Sequence, residues 1–272
     1  MPIDIGGTIW PTALANALDY KSIIKTGLVL HLDPKVAESY STSDTSWYDL
    51  SGSGNHGTLI NSPGYNSAND GSIVFDGVDD YVQVTQTSGF FDFNTNSLYS
   101  DVGYAYSVCA WFNFPITPIG TRAGNQSFAI VGKSGGIGGA ETLTLFVGSA
   151  TDTTYGSYAP YYLGVGIRGA KTIISPAPVN TGTWNNAVVT WDGTAGRVYF
   201  NATDRGAANI GTASIQIPYY FSVGVTGNGS TGPTITAHQF EGQISNITVY
   251  NRALTASEVL QNFNATRSRF GI

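Results

Sequence analysis

Charge is scarce in this sequence. Asp, Glu, Lys and Arg together make up 11% of 272 residues, against roughly 25% in ordinary globular domains. The polar surface must therefore come mostly from Ser, Thr, Asn, Gln and Gly, which points away from helices clothed in Lys and Glu and toward β structure. Basic residues are especially few: Lys21, Lys25, Lys35, Lys133 and Lys171 are scattered and the net charge is −6. A phosphate backbone would find no basic stripe, so nucleic-acid binding is excluded. Cysteine occurs once, as Cys109, so no intrachain disulfide can form. Within Tyr106–Phe114 it reads as a small buried hydrophobe rather than a reactive thiol. No apolar run approaches the ~20 residues that span a bilayer. The opening MPIDIGGTIWPTALANALDY lacks a basic n-region and an unbroken apolar h-region, so no secretory signal is expected.

What is present is glycine, 34 residues, and a hydrophobic share of 42%, enough for a sizeable core. No collagen-like period accompanies the glycines, so they punctuate many short strands. Leu28–Leu32, Ser72–Val84, Ser107–Phe114, Leu143–Val147, Tyr161–Ile167, Ala187–Trp191, Arg197–Asn201 and Gln243–Tyr250 are rich in β-branched and aromatic residues, each bounded by turn formers. Burying so many short strands requires a sandwich or barrel. The expected fold class is all-β, a two-sheet antiparallel sandwich. Asp76-Gly77 is a candidate hairpin turn.

Two short helices frame the strands. Thr12–Lys25 places Leu14, Ala17 and Leu18 at helical spacing after Pro11. Residues 1–26 form either a cap across one end of the sandwich or an arm that docks on a partner, and residues 27–272 form the sandwich. Near the other end, Thr255-Ala256-Ser257-Glu258 is a capping box. Val259, Leu260 and Phe263 follow as an apolar stripe, with the helix ending near Asn264. Arg267 and Arg269 suit a helix C-terminus or a partner, and Arg252 is placed to pair with a carboxylate of the sandwich.

Several segments together resemble the concanavalin A-like lectin/glucanase superfamily, in particular its LamG-like jelly-roll branch. They are Gly27–Pro34, Trp47–Leu59, Phe75-Asp76-Gly77 with Asp79-Asp80-Tyr81-Val82, Tyr106–Phe112, Trp184–Gly193 with Arg197–Asn201, and Gly242–Val259. Their order and spacing are similar to the family over about residues 27–265, which implies a jelly-roll. Gln261–Phe270 also resembles LamG-like proteins encoded by tailed bacteriophages.

The resemblance includes glucanases, so catalysis has to be weighed. Retaining glycosidases need two carboxylates about 5 Å apart, and the retaining glucanases of this fold carry Glu-x-Asp-x-Glu. Glutamate occurs here only at positions 38, 141, 241 and 258, without that spacing. His31, His56 and His238 lack metal-ligand spacing, and no Gly-x-Ser-x-Gly elbow is present. His31, inside an apolar strand, reads as a satisfied core histidine. The G-x-G-x-x-G matches at Gly52–Gly57, Gly164–Gly169 and Gly227–Gly232 open no helix and are accidents of composition. Gly132-Lys133-Ser134 lacks the first P-loop glycine, because Ser127 stands there. The protein is expected not to be an enzyme.

Two clusters are candidates for binding. Asp76, Asp79 and Asp80 are either a Ca2+ site on the rim, since hard cations collect carboxylate oxygens, or turn chemistry. No other cofactor is expected. Tyr155, Tyr158, Tyr161 and Tyr162 suit the apolar faces of sugar rings, the alternatives being core packing or a protein interface. An outward-facing fold without an export signal suggests a virion surface protein: a capsid decoration, head fibre or tail-associated subunit. Its expected partners are other virion proteins through residues 1–26, further copies of the chain, and surface glycans. The alternative is a carbohydrate-binding or adhesion module of a cell-surface protein, outside the cell. A divergent glycosidase comes third.

Overall fold

The computed structural model describes residues 23–84, 105–115, 127–133, 143–149, 161–167, 170–208, 221–226 and 238–272. The helix expected over 12–25 lies largely outside them. Sixteen strands are described: β1 (Leu28–Leu32), β2 (Ser46–Trp47), β3 (Gly57–Ile60), β4 (Gly64–Asn66), β5 (Ser72–Asp76), β6 (Tyr81–Val84), β7 (Tyr106–Asn113), β8 (Ser127–Lys133), β9 (Leu143–Ser149), β10 (Tyr161–Ile167), β11 (Ala170–Pro178), β12 (Trp184–Trp191), β13 (Gly196–Phe200), β14 (Thr203–Ala208), β15 (Phe221–Val223) and β16 (Glu241–Tyr250). A helix, α1 (Ala256–Thr266), and a 3-10 turn (Arg267–Phe270) end the chain.

The strands close into two antiparallel sheets. The first runs β14-β13-β12-β7-β16-β5-β4, with β1 also paired to β16; the second runs β11-β10-β9-β8-β15-β6-β3-β2. Alternate residues of both sheets, among them Leu30, Leu32, Phe75, Phe112, Ile130, Leu145, Val165, Val189 and Val249, meet in one buried core. The expected all-β sandwich is therefore the fold.

The first sheet is packed on both faces. Its outer face carries Cys109, Val188, Tyr199 and Tyr250 against Leu254 and Val259, and Trp111 and Trp184 against Phe263 and Phe270. This explains why β7 and β12 are buried along almost their whole length rather than at alternate residues. Burial pushes the Cys109 thiol up to about 12, so it stays protonated and unreactive, as read from the sequence.

The helix cap forms as the sequence predicts. Glu258 N donates to Thr255 Oγ1 at 3.3 Å and Thr255 N to Glu258 Oε2 at 2.8 Å. Three expectations change in detail. Leu260 is 49% exposed, so the buried stripe is Val259 and Phe263 without it. The helix continues to Thr266 before tightening into the 3-10 turn. Arg252 pairs with Glu258, at 2.7 and 2.9 Å, rather than with a strand carboxylate.

One larger correction concerns a connection. Asp76-Gly77 is not a hairpin turn: β5 pairs with β16 and β4 in the first sheet, whereas β6 pairs with β3 and β15 in the second. Residues 77–80 cross from one sheet to the other, and Gly77 supplies the positive φ, +74°, that the crossing needs. Residues just before Gly27 also touch the sandwich and its helix. Ile24 N donates to Asn262 Oδ1, Tyr250 Oη donates to the Ile24 carbonyl, and Arg252 Nε donates to the Thr26 carbonyl.

Candidate functional site

The crossing segment brings Asp76, Asp79 and Asp80 together, each offering a carboxylate oxygen within 4.8 Å of the others. Turn geometry accounts for part of the arrangement. Asp76 Oδ1 accepts from Val78 N at 2.7 Å and Asp79 N at 3.3 Å, and Asp80 Oδ2 accepts from Asp76 N at 3.1 Å. Asp80 is buried, and burial, reinforced by the charges of Asp76 and Asp79, pushes its carboxyl up to about 6. The cluster thus concentrates negative charge beyond what its own hydrogen bonds offset. Three converging carboxylates are a donor set that fits a hard cation such as Ca2+, with carbonyls and water completing the shell.

The tyrosine cluster is a different matter. Tyr155 and Tyr158 lie outside the described residues. Tyr162 is 2% exposed and its ring lies across Gly148 of the neighbouring strand, where a Cβ would collide with it. Phe146 lies across Gly164 in the same manner, an aromatic covering a glycine on the face turned away from the core. Tyr161 is half-buried, edge-on to Phe114 at 4.9 Å. Tyr162 is therefore not available to stack on a sugar, because packing onto its own sheet already uses its ring.

A third arrangement was not anticipated as a site. On the outer face of the first sheet, β1, β16, α1 and the terminal 3-10 turn enclose a cleft of about 240 Å3, lined among others by Lys25, His31, Asp33, Lys35, Asn246 and Arg269. Its floor is a dense polar network. Arg269 Nη1 donates to Asp33 Oδ1 at 2.7 Å, with both side chains nearly buried (4% and 10% exposed). The same guanidinium donates to the carbonyls of Asn69 (2.6 Å) and Gly71 (2.8 Å) and to Ser245 Oγ (2.7 Å). Lys35 N donates to Asp33 Oδ1, and Asn246 Nδ2 donates to Asp33 Oδ2 at 3.0 Å. A bulge in β16 between Ile244 and Ile247 contains Ser245 and Asn246, and nothing in the local sequence marks it.

His31 is not the satisfied core histidine that its strand suggests. Its Nε2 lies 3.1 Å from Asn246 Nδ2, while its Nδ1 is buried without a hydrogen-bond partner. Burial, offset in part by Asp33, holds the imidazole down at about 4, so it is neutral at pH 7. Arg269, which suits a helix C-terminus or a partner by sequence, sits in the terminal turn after α1 and proves to be an internal staple.

The comparisons with known proteins follow from this architecture. A family model described as Laminin_G_3, concanavalin A-like lectin/glucanases superfamily, matches residues 75–260. The resembling segments Gly27–Pro34 and Trp47–Leu59 fall outside that match. Among curated proteins, none matches the sequence significantly. Among solved structures, the chain is similar to the binding domain of Paraclostridial Mosquitocidal Protein 1, with 15% identity and TM-score 0.59, covering 89% of this chain and 52% of that one. It is also similar to Trypanosoma rangeli sialidase in complex with sialic acid, with 17% identity and TM-score 0.58, covering 89% and 33%. Domain 4 of the extracellular GH43 arabinanase AbnA of Geobacillus stearothermophilus, in complex with arabinotriose, gives 16% identity and TM-score 0.54, covering 88% and 98%. The chain thus spans about half of the toxin domain and a third of the sialidase, but nearly all of the arabinanase domain. At these identities the likeness is one of fold.

Proposed function

The chain belongs to the concanavalin A-like lectin/glucanases superfamily, and from that premise we propose that it is a non-catalytic recognition module that binds carbohydrate. The observation that carries this reading is the match to the arabinanase domain. That domain is covered almost end to end, and it holds an oligosaccharide. Glycoside hydrolysis would call for two carboxylates flanking a substrate cleft. The cleft on the first sheet has Asp33 alone, with both oxygens engaged, and the Asp76, Asp79 and Asp80 cluster spends oxygens on the backbone of its own turn. A glycan array tests the reading: saturable binding is expected, and silence across neutral and acidic glycans would remove it. Release of reducing sugar from a polysaccharide panel would overturn the non-catalytic part.

The same reading assigns Ca2+ to Asp76, Asp79 and Asp80. Binding to the folded chain alone raises stability by RT ln(1 + [L]/Kd), about 2.7 kcal/mol at a hundredfold excess over Kd. Ca2+ should therefore raise the melting temperature and Asp80→Asn should abolish the rise. An equal rise in that variant would move the metal elsewhere. The finer placement, on a virion surface with residues 1–26 toward other virion proteins and further copies of the chain alongside, draws on the resemblance of Gln261–Phe270 to phage-encoded chains. Co-purification with particles tests it, and absence from purified particles would remove it.

A further inference from the structure

We propose that the cleft bounded by β1, β16 and the terminal turn binds a carboxylate-bearing sugar unit of hexuronate type, a proposal that rests on the carbohydrate-recognition reading and names its ligand class. Charge is the first argument. The lining holds three cations, Lys25, Lys35 and Arg269, against one carboxylate, Asp33. Asp33 pairs with Arg269 and Asp70, just outside the lining, pairs with Lys35 at 2.8 Å, which leaves a formal +1, carried by the exposed Lys25, on a chain whose net charge is −6.

The second argument is the distribution of protons. The Asn246 amide could in principle be turned either way, but Asp33 Oδ2 at 3.0 Å fixes it, because an amide oxygen there would face a carboxylate. Asn246 therefore donates to His31 Nε2 as well. Nε2 must accept, so the proton of the neutral ring sits on Nδ1. That N–H is the buried group without a partner, and a buried unsatisfied donor costs about 1–3 kcal/mol until an acceptor reaches it. Asp33 has no comparable spare capacity: Arg269, Lys35 N and Asn246 already occupy its oxygens. The cleft thus lacks acceptors to offer a cation and has donors to offer an anion.

Size and texture narrow the class. At about 240 Å3 the cleft lies below the ~300 Å3 at which drug-sized sites begin, which suits one sugar ring. Ile23, Val36 and Ala265 supply apolar lining for the C–H face of such a ring, which a bare phosphate would leave unused.

Calorimetric titration of the full chain at low ionic strength with sodium glucuronate, glucose and inorganic phosphate tests the proposal. Glucuronate is expected to bind with Kd of about 1 mM or tighter, with glucose at least about tenfold weaker. His31→Phe should weaken glucuronate about tenfold. Lys25→Gln, at an exposed position that leaves folding undisturbed, should weaken it about threefold. Equal affinity for glucose and glucuronate, phosphate binding with glucuronate silent, or Lys25→Gln binding as tightly as the parent would each overturn it. A glycan array positive only for neutral sugars would sink this inference while leaving the recognition module standing. A silent array sinks both.

Discussion

At the scale of single residues, Arg269 decides most. Its guanidinium ties the chain's last turn to Asp33, to the loop at Asn69–Gly71 and to Ser245, and its position in the sequence, beside Arg267 near a helix end, shows none of this. Asp33, Asn69 and Gly71 lie about 200 residues or more away in the chain and Ser245 lies 24 away, so the local rule for cations at helix ends could only suggest an exposed role. Removing one member of a buried ion pair leaves the other uncompensated, at about 3–5 kcal/mol. Arg269→Met should therefore lose about that much in a urea titration. Lys35→Met, which breaks the exposed pair with Asp70, should lose under about 1 kcal/mol. Glu258 offers a pH-dependent counterpart. Hydrogen bonds from Arg252, with help from the Thr255 amide, hold its carboxyl down at about 2. A folded value below the unfolded one means that this stabilisation is complete above pH ~4.5 and is lost as pH falls toward 2. Allowing for partial solvent screening, about 1–2 kcal/mol is at stake. Glu258→Gln should flatten that part of the stability profile between pH 5 and 2.5, and an unchanged slope would show that the pair contributes nothing.

At the scale of elements, legibility follows the range of the interaction. The capping box was readable because both of its partners sit within four residues, and it forms as written. The crossing at residues 77–80 was misread as a hairpin because Asp-Gly chemistry marks a turn but not which sheet the chain enters next. That choice is made by β16, β3 and β15, far along the chain. The second helix is a mixed case, since 3.6-residue periodicity places both Val259 and Leu260 near the apolar side and only the packing surface separates them. Phe263 stacks on Trp111 at 5.5 Å, whereas Leu260 faces outward. Phe263→Ala should cost about 3–5 kcal/mol and Leu260→Ala no more than about 0.5, measured by denaturant midpoint. Equal effects would mean that α1 is rotated relative to this description.

At the scale of the whole molecule, the sandwich was legible because scarce charge, abundant glycine and short β-branched runs all agree on it. The cleft was not, because it is assembled from β1, β16 and the C-terminal turn, and His31 alone in an apolar strand looks like core. The boundary between arm and body is a question at this scale too. Ile24 packs against the cluster that holds Tyr250 and Val259, its amide satisfies Asn262 and its carbonyl receives the Tyr250 hydroxyl. Cutting after residue 22 leaves these contacts in place; cutting after residue 26 strips them, exposes the apolar patch beneath α1, and leaves Asn262 Oδ1, the Tyr250 hydroxyl and the Arg252 guanidinium each short of a partner. Three lost side-chain hydrogen bonds and one partly buried isoleucine together amount to about 2–4 kcal/mol. In a domain of this size that is a melting temperature lower by about 5–10 °C for the shorter chain relative to the longer. The shorter chain also lacks Lys25, so its glucuronate affinity should fall with its stability. If both truncated chains melt together, residues 23–26 belong to the arm after all, and the body begins at Gly27.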